Sequence, residues 1–322
     1  MKTLVRIFSV AVLLASAADA LHAQDPEFTQ FYANPLYLNP ALAGSKICPR
    51  FNLSYRAQWP GIYGTYSTIG ASFDKYAYKV KGGIGVTVVE DRAAKGTLNT
   101  TGVGLIYAPV VPLGKDISVS AAIQAGYWQK TVDWSKLTFG DQIDPHSGFN
   151  LLTQEPSPQT QREGDFDLGA GLLFSSRNFY AGGAVHHILE QNESFLGGSS
   201  PLPRKYTLHA GGMIPLTHDR YEGDSYISPN ILYQKQGDFQ QLNIGLYAKK
   251  DAIVGGLWYR GNDSFIMLIG IEAGQLHLGY SYDVTVSKLS NASAGSHEVT
   301  MGYQMSCKPP KKKYRPVNCP GW

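Results

Sequence analysis

Three histidines come closest to a catalytic set in this chain, but their spacing argues against one. His186 and His187 are adjacent, and His209 lies in a later apolar segment. On a β-strand, adjacent side chains point to opposite faces, so His186 and His187 cannot form one site there. His209 could share a face with one of them. No nucleophile elbow, zinc-ligand spacing or phosphate loop accompanies them, so the sequence predicts no enzyme, no metal site and no cofactor.

A short motif in a long polar stretch contains two acidic residues that could bind a cation. The motif consists of Phe139, Gly140, Asp141, Asp144 and Pro145. Two carboxylates this close in sequence can share a cation, but aspartate is also a common turn residue, particularly before proline. We interpret both aspartates as turn residues of an outer loop.

The three cysteines are Cys48, Cys307 and Cys319. In an oxidising compartment Cys307 and Cys319 could close a small loop, a bond worth about 3 kcal/mol at most on a chain-entropy estimate. Cys48 could instead pair with either of them and attach the tail to the first strand. One cysteine is left over in each case, and metal binding is the weaker alternative.

The elements that must position these residues are short β-strands. From Cys48 onward, segments of roughly ten residues are separated by turn residues, which is typical of antiparallel β structure. The predicted strands are residues 50–59, 65–76, 82–91, 98–110, 116–132, 165–175, 179–189, 205–215, 225–234, 239–249, 252–260, 264–273, 275–287 and 297–305. This is about fourteen strands, and an even number is typical of bacterial outer-membrane barrels.

Within these segments, apolar side chains alternate with small or polar ones. In the last segment, for example, Val299 and Met301 alternate with Glu298 and Thr300. One apolar and one polar face suit a barrel with lipid outside and a polar lumen. A water-soluble β-sandwich also alternates, but its apolar face is covered by a second sheet. We therefore predict an all-β fold, with a transmembrane outer-membrane β-barrel over residues 47–305.

Two of the predicted strands depart from this alternation. Residues 252–258 and 266–271 are apolar on both faces. A polar lumen would leave their inner side chains exposed to water. We therefore expect these inner residues to pack against something inside the barrel.

Both ends of the chain carry segments that do not have a strand pattern. Residues 1–23 combine a basic start with an apolar run too short to cross a bilayer, which predicts a signal peptide cut after Ala23 rather than a retained anchor. Residues 306–322 form a basic, proline-rich tail, either solvated or docked on an acidic partner or phospholipid headgroups. The slight basic excess is concentrated in this tail, and we predict no nucleic-acid partner.

The lengths of the connections predict the orientation of the barrel. If both termini are periplasmic, the longest connections, about residues 133–164 and 191–204, lie outside the cell. Short connections such as residues 177–178 and 250–251 then lie in the periplasm. Long outer loops and short periplasmic turns are characteristic of outer-membrane barrels. The predicted location is the outer membrane, with the N- and C-termini periplasmic.

The opening segment, residues 24–46, has neither a helical period nor a strand alternation. It is rich in aromatic residues and contains two Asn-Pro pairs, which form rigid turns. Its candidate plug or partner-binding residues are Phe28, Phe31, Tyr32, Asn34, Pro35, Tyr37, Asn39 and Pro40. Aromatic side chains need apolar surroundings, and a barrel of this size leaves a lumen. We favour a plug or periplasmic seal over a direct partner surface.

Five further blocks of sequence carry a family resemblance. They are YRAQWPGIYGTYSTIGASFD (55–74), GGIGVTVVEDRAAKGTLNTTGVGLIYA (82–108), LTFGDQIDPHSGF (137–149), FYAGGAVHHILEQNESF (179–195) and LPRKYTLHAGG (202–212). With the opening segment, they resemble the PorP/SprF family, outer-membrane components of the type IX secretion system of Bacteroidetes. The blocks span most of the chain after the predicted leader.

The resemblance implies a function and a set of partners. A non-catalytic barrel of this family would be needed to export large secreted proteins, such as gliding adhesins, or to anchor them at the cell surface by holding their C-terminal domain. Its partners would be that domain, periplasmic components of the secretion system and outer-membrane lipid. Two alternatives remain open on the residues alone: an outer-membrane transporter for hydrophobic solutes, with an apolar ligand pocket, and a barrel hydrolase.

Overall fold

Fourteen long strands form one antiparallel sheet in the computed structural model, which describes residues 24–62, 64–114, 116–144, 146–158, 161–216, 225–286 and 294–307. In chain order they are β1 Arg50–Gln58, β2 Tyr66–Ala77, β3 Gly82–Ala93, β4 Leu98–Pro112, β5 Ser118–Val132, β6 Arg162–Ser175, β7 Phe179–His186, β8 Lys205–Gly212, β9 Tyr226–Gln236, β10 Phe239–Lys250, β11 Ile253–Arg260, β12 Ser264–Ala273, β13 Leu276–Thr285 and β14 Ser296–Gln304.

Pairing of the first strand with the last closes the sheet into a barrel. Each strand pairs antiparallel with its neighbours in sequence, and β1 pairs with β14 over its whole length, from Arg50 opposite Gln304 to Gln58 opposite Ser296. The predicted all-β barrel is confirmed, and the strand ends differ from the predicted ones by no more than about three residues. In a closed barrel every strand pairs on both sides, so its backbone N–H and C=O groups are hydrogen-bonded. A membrane requires this because its apolar core offers no water to pair with them.

Shorter elements lie between the barrel strands. Strand Ile214–Pro215 extends β8 along β9, and a small hairpin pairs Ile143–Asp144 with Gly148–Phe149. The 3₁₀ turns outside the opening segment are Tyr78–Val80, Ala94–Gly96, Trp134–Lys136 and Gly140–Gln142. No helix in the described part of the chain is long and apolar enough to span a membrane.

The two faces of each strand differ as the alternation predicts. In β12, Phe265, Met267 and Ile269 point outward and are about half exposed in the isolated barrel, whereas Ile266 and Leu268 point inward and are buried. The outward side chains form an apolar surface of the kind that faces lipid. The inward residues of β12 are apolar because they pack against another part of the chain.

The two openings of the barrel differ in their connections. One opening, the loop mouth, carries the longest connections, residues 133–161 and 187–204. The other, the C-terminal mouth, is where β1 begins, β14 ends and short connections such as residues 176–178 and 251–252 lie. The predicted asymmetry of loop lengths is therefore present.

Residues 24–45, the luminal segment, run through the barrel from one mouth to the other. Asp25 contacts Gln236 at the end of β9, next to the loop mouth. Gly44 contacts Asp74 near the end of β2, next to the C-terminal mouth. The luminal segment therefore crosses the whole lumen, so that Gln24 and Cys307 lie at opposite mouths. The periplasmic location of both termini stays a prediction, because residues 1–23 and 308–322 lie outside the described residues.

A disulfide joins Cys48 to Cys307, with the two Cα atoms 5.4 Å apart. This is the alternative pairing from the sequence. It corrects the preferred pairing of Cys307 with Cys319, because the register of β1 on β14 brings the flanks of these two strands together. Cys319, most of the basic tail and the predicted signal peptide, residues 1–23, lie outside the described residues.

Candidate functional site

The Asn-Pro pairs begin two short helical turns of the luminal segment. Its helical turns are Phe31–Ala33, Pro35–Leu38 and Pro40–Leu42. Pro35 and Pro40 occupy first-turn positions, where the missing N–H costs nothing. Asn39 has extended backbone angles, and its side-chain Oδ1 accepts a hydrogen bond from Ala41 N at 2.9 Å. The two prolines and the Asn39 cap stabilise short helical turns in a segment that has no helix of normal length.

Aromatic rings pack the centre of the luminal segment against the barrel wall. Phe31 lies 5.1 Å from Trp258, and Tyr32 lies 5.7 Å from Tyr180, between ring centroids. Both pairs are edge-to-face, the favoured geometry. Trp258 belongs to β11, one of the two strands that are apolar on both faces. Inward side chains of β11 and β12 belong to the same buried cluster as residues of the luminal segment. The luminal segment is therefore what the inner faces of these two strands pack against.

The side chain of Asn39, in the luminal segment, is buried against the barrel wall. Its Nδ2 donates to the carbonyl oxygens of Leu172 and Gly183, at 3.1 and 3.3 Å, and lies 3.1 Å from Nε2 of His209. A Cβ atom at Gly171 would lie 2.2 Å from Asn39 Oδ1, so only glycine leaves room for the side chain. One polar side chain therefore connects the luminal segment to β6, β7 and β8.

Four buried charged residues line the lumen near the loop mouth. Arg56 lies 3.0 Å from Asp283 and 3.6 Å from Glu298, and Arg260 lies 3.1 Å from the same Asp283 oxygen. All four side chains are at most 3% exposed, so two cations balance two carboxylates in a site screened from water. Buried charges persist only when they are paired in this way.

The luminal segment completes this charged cluster. The carboxylate of Glu298 accepts hydrogen bonds from the backbone N–H groups of Thr29 and Gln30, at 2.5 and 3.2 Å. The Thr29 hydroxyl donates to Asp283 at 2.8 Å and accepts from Arg260 at 3.3 Å. Removing the segment would leave these buried charges without their hydrogen-bond partners. The charged residues of the wall therefore stabilise the segment in the lumen.

A second charged contact holds the first residues of the segment at the loop mouth. Asp25 lies 2.9 Å from His187 and 3.7 Å from Lys205, and it accepts a hydrogen bond from Gln236 at 3.0 Å. Burial would raise the pKa of Asp25, but the charges of His187 and Lys205 hold it well below its usual range. Burial would lower the pKa of His187, but Asp25 and Asp167 raise it to about 10.

The position of the histidines differs from the prediction. Strand β7 ends at His186, and His187 has a left-handed backbone with φ of 56°. The strict alternation stops there, so His186 and His187 both line one small internal cavity of about 30 Å³. The expectation that they face opposite sides is therefore wrong. His209 also faces the lumen, where it contacts Asn39.

The other end of the luminal segment is fixed at the C-terminal mouth. Arg50 and Asp74 form a buried ion pair through two contacts, at 2.9 and 3.1 Å. Asp74 also accepts a hydrogen bond from Gly44 N at 2.8 Å, and Arg50 donates to the Ser45 hydroxyl at 3.4 Å. A Cβ atom at Gly83 would lie 1.9 Å from the carbonyl oxygen of Ala43, so the segment lies directly on the backbone of β3.

The remaining candidate residues of the segment also lie inside the barrel. Phe28 is buried and packs edge-to-face on Tyr37, with ring centroids 5.2 Å apart. The Tyr37 hydroxyl donates to the Pro26 carbonyl at 2.5 Å. Asn34 accepts a hydrogen bond from the Ser54 hydroxyl at 2.7 Å. The candidate residues thus form one continuous element in the lumen.

The outer-loop motif forms turns. Asp144 accepts hydrogen bonds from the backbone N–H groups of His146 and Ser147, which lower its pKa. Asp141 accepts from the Thr153 hydroxyl and from Gln154 N, across the same loop. Phe139 packs on Trp134 at 5.0 Å, and Gly140 begins the 3₁₀ turn that follows it. Pro145 lies outside the described residues.

Above the first residues of the luminal segment, an open cavity of about 640 Å³ faces the loop mouth. We call it the vestibule. Its floor is formed by residues 24–27, and its walls include Trp59, Tyr66, Asp91 and Phe239. Among the described residues, no group of three or more His, Cys, Asp or Glu side chains is arranged to bind a metal ion.

Comparison with known proteins assigns the chain to a family. Residues 20–303 match the family described as type IX secretion system membrane protein PorP/SprF. The chain belongs to the PorP/SprF family. The match covers the luminal segment and all but the last residue of the fourteen strands, so the resemblance predicted from the sequence is confirmed. No curated protein matches the chain in sequence.

Solved structures show what this PorP/SprF barrel is similar to in outline. KdgM porin is 8% identical, with a TM-score of 0.37, and the match covers 80% of this chain and 99% of that one. BamA from Haemophilus ducreyi lacking POTRA domains 1–3 is 9% identical, with a TM-score of 0.38, over 81% of this chain and 71% of that one. A triple mutant of Rhodopseudomonas blastica porin is 6% identical, with a TM-score of 0.33, and the match covers 81% of this chain and 99% of the porin.

Sequence reasoning missed the charged residues that hold the luminal segment in this PorP/SprF protein. Arg56, Asp283 and Glu298 all lie on the small-polar faces of their strands. A charged residue on the inward face of a strand needs a partner of opposite charge or a hydrogen bond. Its presence there was the available signal that something in the lumen contacts it. The partner could not be identified, because Thr29 and Glu298 are 269 residues apart in the chain.

Proposed function

We propose that this PorP/SprF barrel is a non-catalytic anchor of the type IX secretion system. It binds the C-terminal domain of a large secreted protein, such as an adhesin, at the loop mouth. That binding exports the client or retains it at the cell surface. Periplasmic components of the secretion system interact with the C-terminal mouth, where the basic tail begins, and outer-membrane lipid covers the outward apolar face.

The observation that carries the proposal is the filled lumen. Phe31, Tyr32 and Leu36 are at most 4% exposed and pack on the barrel wall along its length. The segment is tied by a buried ion pair at the loop mouth and by hydrogen bonds to the buried Arg50–Asp74 pair at the C-terminal mouth. This supports a closed barrel whose working surface is its loop mouth. A solute transporter would instead have to displace this segment in each cycle.

The loops of that mouth have the character of a protein-binding surface. Phe149, Leu152 and Leu196 are 65%, 92% and 74% exposed, in the two longest loops. Exposed apolar patches mark surfaces that bind other proteins, and these three side chains are the candidates for such a patch. The long connections of outer-membrane barrels face outward, which supports an extracellular loop mouth.

A pull-down from native membranes in mild detergent tests the proposal. We expect one large surface protein with a C-terminal secretion domain to be recovered in near-equal amount with the barrel. A variant with Phe149→Ser, Leu152→Ser and Leu196→Ser should lose this protein while folding normally. Recovery of the barrel alone, under conditions that keep other envelope complexes intact, would favour the transporter.

A further inference from the structure

The vestibule has the size and position of a site for part of a protein partner. Its volume of about 640 Å³ lies within the range of small-ligand pockets, about 300–1,000 Å³, and so has room for one or two side chains of a partner. It opens at the loop mouth, and its floor is formed by the first residues of the luminal segment, from Gln24 to Glu27. Whatever enters it must contact the start of the chain.

The vestibule carries an excess of negative charge. Four carboxylates line it, those of Asp25, Glu27, Asp91 and Asp263, against the two cations Lys130 and Arg260. Both cations are already engaged in ion pairs. Lys130 contacts Glu193, and Arg260 contacts the buried Asp283.

Two of the carboxylates have no direct ion pair, since Lys130 acts on Asp91 and Arg260 on Glu27 only at longer range. Asp91 accepts one hydrogen bond, from the Thr68 hydroxyl at 2.6 Å. In the part of the chain that the structure describes, no cationic nitrogen lies within 4.0 Å of Asp91 or of Glu27. Both side chains are partly buried, so a cation that reached them would be only weakly screened by solvent.

Aromatic rings line the same cavity as these carboxylates. Trp59 and Tyr66 are perpendicular, with ring centroids 6.0 Å apart, and Phe239 lines the same cavity. Ring faces attract ammonium and guanidinium groups, and they also pack against the aliphatic stems of these side chains. Carboxylates and aromatic rings together are the surroundings that bind lysine and arginine.

We propose that the vestibule binds a lysine- or arginine-bearing segment of the secreted partner, with Glu27 and Asp91 as its anionic contacts. The inference rests on the proposed function, which requires a protein client at the loop mouth. It adds the chemistry of recognition: the client presents a cationic extended segment to a cavity whose floor is the start of the barrel's own chain.

A defined peptide tests the inference directly. The probe is fluorescein-labelled hexalysine, titrated by anisotropy onto the full barrel in nanodiscs of neutral phosphatidylcholine. Labelled hexaserine is the neutral reference. We expect hexalysine to bind, hexaserine not to bind, and salt to weaken the binding. Equal binding of both peptides, or none of either, would overturn the inference.

Matched variants locate the binding. The double variant Glu27→Gln with Asp91→Asn should weaken hexalysine binding by about tenfold or more. The control, Asp116→Asn with Asp251→Asn, removes the same two charges from connections at the C-terminal mouth and should bind as wild type does. Equal weakening in both doubles would contradict a site in the vestibule. Heat-modified gel mobility establishes that each variant is folded.

The native pull-down separates this inference from the proposed function. If the wild-type barrel recovers no client, the proposed function fails. If it recovers a client, and Glu27→Gln with Asp91→Asn recovers it equally well, the proposed function stands and the inference fails. If the double variant binds neither the client nor hexalysine, while the control variant binds each of them, the result supports the proposed function and the inference.

Discussion

At the scale of single residues, the lumen is organised by charges that cannot reach water. Arg56 is 1% exposed and lies between the carboxylates of Asp283 and Glu298. Those carboxylates also accept hydrogen bonds from Thr29 and Gln30. Each charge is compensated by an opposite one. Removing one side chain therefore loses its own contacts and also leaves its partner as an uncompensated buried charge.

Arg56→Ala should therefore destabilise the barrel by about 3–5 kcal/mol, because it leaves buried carboxylates without their cation. The matched control is Arg92→Ala, which removes an exposed ion pair with Glu90 and should cost about 0–1 kcal/mol. Urea unfolding in detergent micelles, followed by tryptophan fluorescence, measures both. Similar losses in the two variants would contradict the buried network.

The Asp25–His187 contact predicts a pH dependence. His187 has a raised pKa, so its stabilisation is complete below pH 6.5 and is lost as pH rises towards about 10. Asp25 has a lowered pKa, so its stabilisation is complete above pH 3.8 and is lost as pH falls below that value. The charged groups that face His187 are Asp25, Asp167 and, through Asp25, Lys205.

The measurement is the melting temperature of the barrel across this range. We expect wild type to lose stability between pH 6.5 and about 10. His187→Gln should be less stable at pH 6.5 and should show a flatter profile above it. His146→Gln, in the exposed outer loop, should follow wild type. An unchanged profile in His187→Gln would refute the assignment of the dependence to this contact.

At the scale of elements, the luminal segment comes closest to the wall at positions where the wall has glycine and therefore no side chain. Gly83 of β3 faces the carbonyl of Ala43, and Gly171 of β6 faces Asn39. Neither glycine has a positive φ, so the requirement is close approach and not backbone conformation. The glycines of these strands are therefore part of the binding surface for residues 24–45.

Gly83→Ala should push the luminal segment off β3, because its Cβ would lie 1.9 Å from the Ala43 oxygen. We expect a loss of about 1–3 kcal/mol, as for other overpacked sites, together with faster hydrogen exchange in residues 40–45. Gly255→Ala is the control, since its Cβ meets no atom within 4 Å. Equal exchange in the two variants would show that the segment does not depend on this contact.

At the scale of the whole molecule, the barrel closes where β1 meets β14, and the Cys48–Cys307 disulfide joins the flanks of those strands. Of the chain's three cysteines, this leaves Cys319 as the remaining thiol. Denatured, unreduced protein should therefore react with maleimide at Cys319 alone, as mass spectrometry would show. Labelling at Cys48 instead would indicate the Cys307–Cys319 bond.

The path of the luminal segment predicts that Gln24 and Cys307 face opposite sides of the membrane. An epitope placed directly before Gln24, after the predicted leader, should bind antibody on intact cells, because we propose that the loop mouth faces outward. An epitope after Trp322 should bind only after the outer membrane is permeabilised. Binding of both epitopes under the same condition would contradict a segment that crosses the lumen.

The sequence by itself determined the class of this protein, its strand count and its family. Those features depend on local patterns: a two-residue alternation, turn residues at regular intervals, and blocks such as residues 179–195. It also indicated, from the doubly apolar β11 and β12, that something fills the lumen. Each of these signals is contained within one short stretch of chain.

Only the tertiary structure decided where the opening segment goes and what holds it. Asp25 meets Gln236 across 211 residues, and Thr29 meets Glu298 across 269. The choice of disulfide partner and the shared cavity of His186 and His187 likewise follow from strand register and from one left-handed residue. A charged side chain on an inward face needs a partner, but the barrel's closure determines which residue, from which distant strand, comes within reach.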